Sequence, residues 1–389
     1  MSPRQGDPLL ATVRADHVGG LPRPLWLREL QARHDLGSVS EEELEAGHRR
    51  AIAAVLAHQE ELKLPVLTDG EFARRGFQES FGGAVSGFDA TPARYGPVIQ
   101  RPPQANSMGI PTTRAPSGMS APGPAILHRR PVLERLRLTR NLILEEYTRA
   151  ASLASAPVKI TLIGPDRISQ RFAFENSRDV YKDMDEFLTD VVAIERSMIS
   201  EVVAAGCRYV QIDEPGYTAY VDGPSLETMR GRGEDPDRNL ARSIAADNAL
   251  IDGFDGVTFG IHICRGAGGG RGGVWFHREG TYETIAERLF NQLDFDRFLL
   301  EYDSEAAGSF ESLRHMPPGK IAVLGLVSNH GEVETKGYLK RRLDEAAKYL
   351  SLDQAALCPR CGFTGVQDEG DVWGKLAVIE EVAEEVWGK

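Results

Sequence analysis

The chain has no apolar run approaching about 18 residues, so no membrane-spanning helix is expected. It is short of positive charge. The formal net charge of −12 argues against a nucleic-acid partner, whose phosphates would be repelled. Cysteine is scarce, with only Cys207, Cys264, Cys358 and Cys361 among 389 residues. Four cysteines in a chain of this size read as metal ligands or buried thiols, not as a disulfide framework. The opening MSPRQGDPLLATVRADH lacks an apolar signal core, so a cytoplasmic address is expected. No internal repeat is present. The Gly-rich RGAGGGRGG (265–273) lacks the G-K-[ST] ending of a phosphate loop and reads as a mobile loop whose glycines let backbone approach a ligand.

What remains is the composition of a globular enzyme, 41% hydrophobic and 26% charged. Short β-branched or apolar runs alternate with helical stretches: ATVRADHVG, LPVLTDGEF, PVKITLIG, CRYVQIDEP, GVTFGIHIC, DRFLLEYD, KIAVLGLVS and AALCPRCGF. About eight strand candidates separated by helices predict an α/β chain folded as one closed (β/α)₈ TIM-type barrel over residues 1–389. Residues 88–131, dense in Pro, Gly, Ser and Thr, cannot stay helical or extended for long and are expected as an inserted loop near the barrel mouth.

Four metal-ligand types end strand-like runs: His262 and Cys264 in GIHICRG, Glu301 in FLLEYD, and Cys361 in CPRCGF. His262 and Cys264 are two apart, which on a strand puts both on one face. A His/Cys/Glu/Cys set suits Zn2+, and a thiolate-rich zinc in a pocket points to chemistry on sulfur, lowering the pKa of an incoming thiol. Cys358 and Cys361 form a C-x-x-C pair, but a zinc ribbon needs a second close pair and none exists. Cys361 is therefore taken as a ligand, Cys358 as its neighbour, and Cys207 as buried and inert.

Counted with these, polar residues follow five of the apolar runs: Asp69 and Glu71, Asp213 and Glu214, His262 and Cys264, Glu301 and Asp303, and Ser328 to His330. Such residues serve as helix caps at strand–helix junctions too. Five successive junctions of this kind are more than capping requires, and they lie where a barrel builds its active site.

With these residues in view, the chain resembles the cobalamin-independent methionine synthase catalytic-domain family, in its short single-domain branch. The likeness runs through DHVGGLPRP, TDGEFAR, VQIDEP, HICRG, LEYD, LVSNH and CPRCGF. It implies a (β/α)₈ barrel, zinc on His262, Cys264, Glu301 and Cys361, and transfer of a methyl or alkyl group to a zinc-bound thiol. By the same resemblance Glu71 and Asp213 hold the amino group of homocysteine, and His330 protonates the leaving group. The family's V/I-G-S-x-P segment reads Val18-Gly19-Gly20-Leu21-Pro22, so a glycine stands where a serine helps to bind the homocysteine carboxylate. One hydrogen bond to a charged group, worth about 1.5–3 kcal/mol, is missing there unless another group supplies it. The family's pterin-stacking Trp has no counterpart in ITLIGPDRIS, nor does its folate-assisting N-terminal half in this sequence. The expected donor is therefore one that need not be methyltetrahydrofolate.

The leading expectation is a zinc-dependent thiol methyltransferase of methionine biosynthesis, its partners a homocysteine-like small-molecule thiol and a methyl or alkyl donor. The alternative is opening of an epoxide or other electrophile by a thiol, as in epoxyalkane–coenzyme M transferase. That reaction needs a basic receptor, for which Arg14, Arg23, Arg74, Arg75 and Arg265 are candidates. Decarboxylation of a porphyrin-like substrate would leave the four ligands unexplained, and a barrel of this size has enough core without a zinc staple. The oligomeric state stays open, a homo-oligomer included.

Overall fold

The structure is a computed structural model that describes residues 6–74, 76–89, 93–98, 125–265, 278–304, 307–329, 331–364 and 369–388. Ten strands occur among these: β1 (Val85–Phe88), β2 (Ala93–Val98), β3 (Ala125–Arg129), β4 (Val132–Leu138), β5 (Lys159–Ile163), β6 (Tyr209–Asp213), β7 (Thr258–Ile263), β8 (Arg297–Glu301), β9 (Ile321–Val327) and β10 (Ala355–Pro359). Strands β5 to β10 form one parallel sheet in chain order. Two short extended segments span the gap between its edges. Ala15 bridges in parallel to Leu357 of β10, and Leu67 to Val158 beside β5. Leu21 N–H donates to Gly70 O at 3.1 Å, and Thr68 Oγ1 to Gly19 O at 2.8 Å, tying the two segments together. All eight runs named from the sequence therefore take part in the (β/α)₈ barrel, and the first two contribute least regular strand. In the second, TDGEF turns at once, with Gly70 and Glu71 both at positive φ.

Period-two alternation along each strand separates the two faces of the sheet. Val210, Ile212, Phe259, Ile261, Phe298, Leu300 and Leu324 face the helices and make the main core. The inner face is mixed. At the N-terminal end, Lys159 Nζ donates to Asp16 Oδ1 at 2.7 Å and Gln211 Oε1 at 2.8 Å, and Tyr209 OH donates to Asp16 Oδ2 at 2.7 Å. Arg297 completes this buried set, 3.2 Å from the same carboxylate. Above it lies an apolar layer of Val18, Leu299, Val323, Ala356 and Cys358.

Long amphipathic helices wrap the sheet. Glu41–Glu61 starts on a capping box, with Ser40 Oγ accepting from Glu43 N–H and Glu43 accepting from Ser40 N–H. Met184–Ala204 is capped by Asp183 and stops before Gly206 at φ +111°. Around the expected insertion, β1 pairs with β4 and β2 with β3, both antiparallel, so its flanks are extended ribbons. Residues 99–124 lie outside the described residues. Among the described residues no helix is long and apolar enough to cross a membrane.

Candidate metal and thiol site

Parallel pairing places Asp213 of β6 opposite His262 of β7, at the C-terminal ends of both strands. Their side chains follow, with His262 Nδ1 3.5 Å from Asp213 Oδ1. Cys264 comes two residues after His262, and the turn after β10 brings in Cys361, whose Sγ lies 3.8 Å from Cys264 Sγ. One ligand atom from each of His262, Cys264 and Cys361 falls within 4.8 Å of the others. His262 and Cys264 are buried, and Cys361 is half-buried. The thiol pair shares a proton unequally. The Cys361 S–H donating to it, with His262 beside it, holds the Cys264 thiol well below its ordinary range, and the Cys264 thiolate pushes Cys361 up. Burial opposes charge on His262, but the Cys264 thiolate and Asp213 outweigh it and push the imidazole up to about 10. Two thiols and an imidazole in one buried cluster are soft and borderline donors that fit a divalent metal in place of those protons.

Glu301 is fully buried at the end of β8 but is not one of these three converging ligands. Its Oε2 accepts from Arg265 N–H at 2.8 Å, and its Oε1 lies 3.5 Å from the Arg360 guanidinium. Arg360 also reaches Asp303 at 3.3 Å, while its carbonyl is 3.3 Å from His262 Nε2. His330, Arg75 and the Gly-rich stretch after Arg265 lie outside the described residues.

Glu71 and its neighbours form the adjoining wall. Glu71 has φ +60°, a conformation that a residue with a β-carbon holds at a cost of about 1–3 kcal/mol and that clusters at functional sites. Asp69 Oδ1 fixes the turn by accepting from Glu71 N–H at 2.8 Å. Thr161 Oγ1 donates to Glu71 Oε1 at 2.8 Å, and Arg74 lies 3.8 Å from the same oxygen. Arg74 is held in turn by Glu146, with contacts of 2.6–3.0 Å from Nε and Nη2. Burial, with Asp213 and Asp69 nearby, pushes the Glu71 carboxyl up despite Arg74. Asp213 Oδ1 accepts from Gln211 Nε2 at 2.7 Å.

Gly19 and Gly20 lie against this wall. A β-carbon on Gly19 would stand 3.6 Å from Glu71 Oε1, and one on Gly20 would stand 3.4 Å from Glu71 Oε2 while overlapping Thr364 Oγ1. The Thr364 hydroxyl therefore occupies the space into which a side chain at position 20 would grow.

The sequence profile described as "Cobalamin-independent synthase, Catalytic domain" matches residues 12–110, which hold Gly19, Gly20 and Glu71. Protein YxjG of Bacillus subtilis (strain 168) is 32% identical over 386 residues, covering 96% of this chain and 94% of its own length. This chain belongs to the cobalamin-independent methionine synthase catalytic-domain family. Methionine synthase of Pyrococcus abyssi (strain GE5 / Orsay) is 23% identical over 347 residues, covering 89% of this chain and 84% of its own. In fold, the chain is similar to a B12-independent methionine synthase from Shewanella sp. W3-18-1 solved with selenomethionine, at TM-score 0.72 and 20% identity over 97% of this chain and 98% of that one.

Several neighbours of Glu71 and Gly20 were not named from the sequence: Thr161, Glu146 and Thr364; Arg74 was, but as a basic receptor and not as the partner of Glu146. Thr161 had a usable signal, being the lone polar residue in the apolar run ITLIG. Glu146 and Thr364 had none. Of the remaining acids, Glu214 acts as an anchor, accepting from the N–H groups of Asp166 and Arg167 at 2.8 and 2.9 Å. Cys358 and Cys207 are buried away from the metal-ligand cluster, each thiol pushed up by burial, Cys207 to about 12.

Proposed function

We propose that this chain transfers a methyl or alkyl group to a thiol, homocysteine being the acceptor its receptor fits best, with zinc held by His262, Cys264, Cys361 and Glu301. The observation that carries the reading is the convergence of His262, Cys264 and Cys361 within 4.8 Å at the C-terminal end of the barrel. Zinc bound there supplies a Lewis acid that lowers the pKa of an incoming thiol.

The protein's own groups do the rest. Glu71 and Asp213 receive the ammonium of an amino-acid thiol, a role that suits two buried carboxyls close enough for Asp213 to push Glu71 up, since a cation between them relieves that repulsion. Arg74 and Thr161 hold Glu71 in place, while Asp213 orients His262 through Nδ1, leaving Nε2 to exchange the Arg360 carbonyl for the metal. The Thr364 hydroxyl substitutes for the serine that Gly20 lacks, facing the substrate carboxylate. His330 protonates the leaving group. The chain works as one barrel domain, with 88–131 inserted at its mouth, and its donor need not be methyltetrahydrofolate. The naming of the Pyrococcus relative as a methionine synthase supports an amino-acid thiol acceptor.

Epoxide opening by a sulfonated thiol is less well supported. Arg74 is held by Glu146, Arg23 donates to the carbonyls of Glu71 and Arg74, and Arg14 to those of Ala11 and Asp353. X-ray absorption at the zinc edge, with and without homocysteine, tests the proposal. A change from two sulfur ligands to three is expected. Bound zinc that responds only to a sulfonated thiol would transfer the reading to the alternative, and metal-replete protein without zinc would end both.

A further inference from the structure

In a chain of net charge −12, arginines gather around the short helix that follows β5. Arg167 lies in the short helix Pro165–Gln170 and Arg171 is its C-terminal cap. Arg130 is joined to this segment through the backbone, its N–H donating to Arg171 O at 2.8 Å and its carbonyl accepting from Ala173 N–H at 2.9 Å. Gln170 Oε1 then links Arg167 to Arg278, 3.5 Å from one guanidinium and 3.3 Å from the other.

No salt bridge joins Arg130, Arg167 or Arg171 to a carboxylate of the described residues. The nearby acids are already committed. Asp166 accepts from Tyr220 OH, Ser243 Oγ and Gln170 Nε2 at 2.5–2.9 Å, and Glu214 from two backbone N–H groups. Arg167 is buried and its Nε has no hydrogen-bond partner, while Arg130 and Arg171 are half-buried. Burial, with the positive fields of Arg167 and Arg130, pushes Arg171 down to about 10. Arg130, Arg167 and Arg171, gathered at the cost of mutual repulsion and without a salt bridge to a described carboxylate, are a receptor for an anion. Arg278 Nη1 lies 3.3 Å from Thr218 Oγ1, which in turn donates to the Cys264 carbonyl at 2.9 Å, so the receptor adjoins the metal-ligand cluster.

We propose that Arg130, Arg167 and Arg171, with Arg278 behind them, bind an oxyanion group, phosphate or carboxylate, carried by the alkyl donor. This rests on the proposed function. The donor is assigned because the amino-acid thiol already has its receptor in Glu71 and Asp213, which make no hydrogen bond or ion pair with Arg130, Arg167 or Arg171 among the described residues.

The test measures binding of inorganic phosphate and of glutarate by calorimetry at low ionic strength. It uses the full chain and its Cys264→Ser/Cys361→Ser variant, in which anions have no thiol-bound metal to bind. Binding of at least one probe is expected in both proteins, weakened about tenfold or more by Arg167→Gln or Arg171→Gln. Arg171→Lys should restore most of it, and Arg238→Gln, on the exposed surface, should change nothing. The tighter probe names the donor's anionic group. Binding of neither probe, or binding indifferent to Arg167 and Arg171, would overturn the proposal, as would displacement of homocysteine by the probe. The two readings fail separately. Arginine-dependent binding in a protein that holds no zinc would leave this site standing and remove the thiol-transfer reading, whereas a zinc response without anion binding would do the reverse.

Discussion

Asp213 Oδ1 lies 3.5 Å from His262 Nδ1 because the two residues are register partners on adjacent parallel strands. Asp213 thus borders the metal-ligand cluster and, in the function proposed above, also belongs to the amine receptor, and the two roles can be separated. Asn keeps a carbonyl oxygen for His262 but has no charge for an ammonium. Asp213→Asn is expected to raise the KM for homocysteine about 10- to 100-fold, the loss of a charge-assisted contact, with zinc content near that of the parent. Parallel losses of metal and substrate affinity would remove Asp213 from the receptor.

The two thiols converge from residues 97 apart in sequence, 3.8 Å between sulfurs. Either one is needed to complete the donor set, while the barrel core is built elsewhere, on the helix-facing side of the sheet. Cys264→Ala and Cys361→Ala should each lose bound zinc and methyl transfer yet unfold cooperatively in urea. Metal analysis alongside the unfolding curve checks both parts, and unchanged zinc in either variant would refute that residue as a ligand.

Gly20 and Thr364 read as a complementary pair, small where the other is bulky. Gly20→Ser alone forces two side chains into one space and should destabilise the protein by about 1–3 kcal/mol. Thr364→Ala should weaken homocysteine binding by about 1.5–3 kcal/mol. Combining Gly20→Ser with Thr364→Ala should recover much of both losses. A double variant no better than the sum of its parts would show that the two positions do not share a role.

Much of this architecture is legible in the sequence because it depends on local pattern. Most of the eight apolar runs end in an acid, His, Cys or Ser, and a barrel sends all such ends to one mouth. His262 and Cys264 follow from strand period alone. What sequence could not give depends on register and on contacts between distant elements. Nothing in TDGEF announces that Glu71 adopts positive φ, or that Arg74 would find Glu146 on a helix 72 residues later. Glu301 shows the limit from the other side: its residue type and strand end fit a ligand, but its carboxylate engages Arg265 N–H and Arg360, so joining the metal requires exchanging those partners. The unpaired arginines were equally hidden, since a guanidinium's lack of a carboxylate is a property of the packed structure.

His17 gives the barrel a dependence on pH that is independent of the metal-ligand cluster. It is buried, with Nε2 3.2 Å from Val66 O and Nδ1 without a hydrogen-bond partner. Burial, reinforced by the Lys159 ammonium, pushes its pKa down to about 4. Between that value and about 6.5, the unfolded chain takes up a proton that the folded protein refuses. Stability is therefore fully present above about pH 6.5 and falls as the pH drops toward 4, by about 3 kcal/mol from this residue. Glutamine retains a donor for Val66 O and does not titrate, so His17→Gln should flatten this segment of the profile while Asp16 and other carboxylates still act at lower pH. Urea unfolding of both proteins at pH 7, 6, 5 and 4 provides the check. Parallel stability profiles would mean that His17 accepts its proton in the fold, which requires Nδ1 to find a partner on protonation.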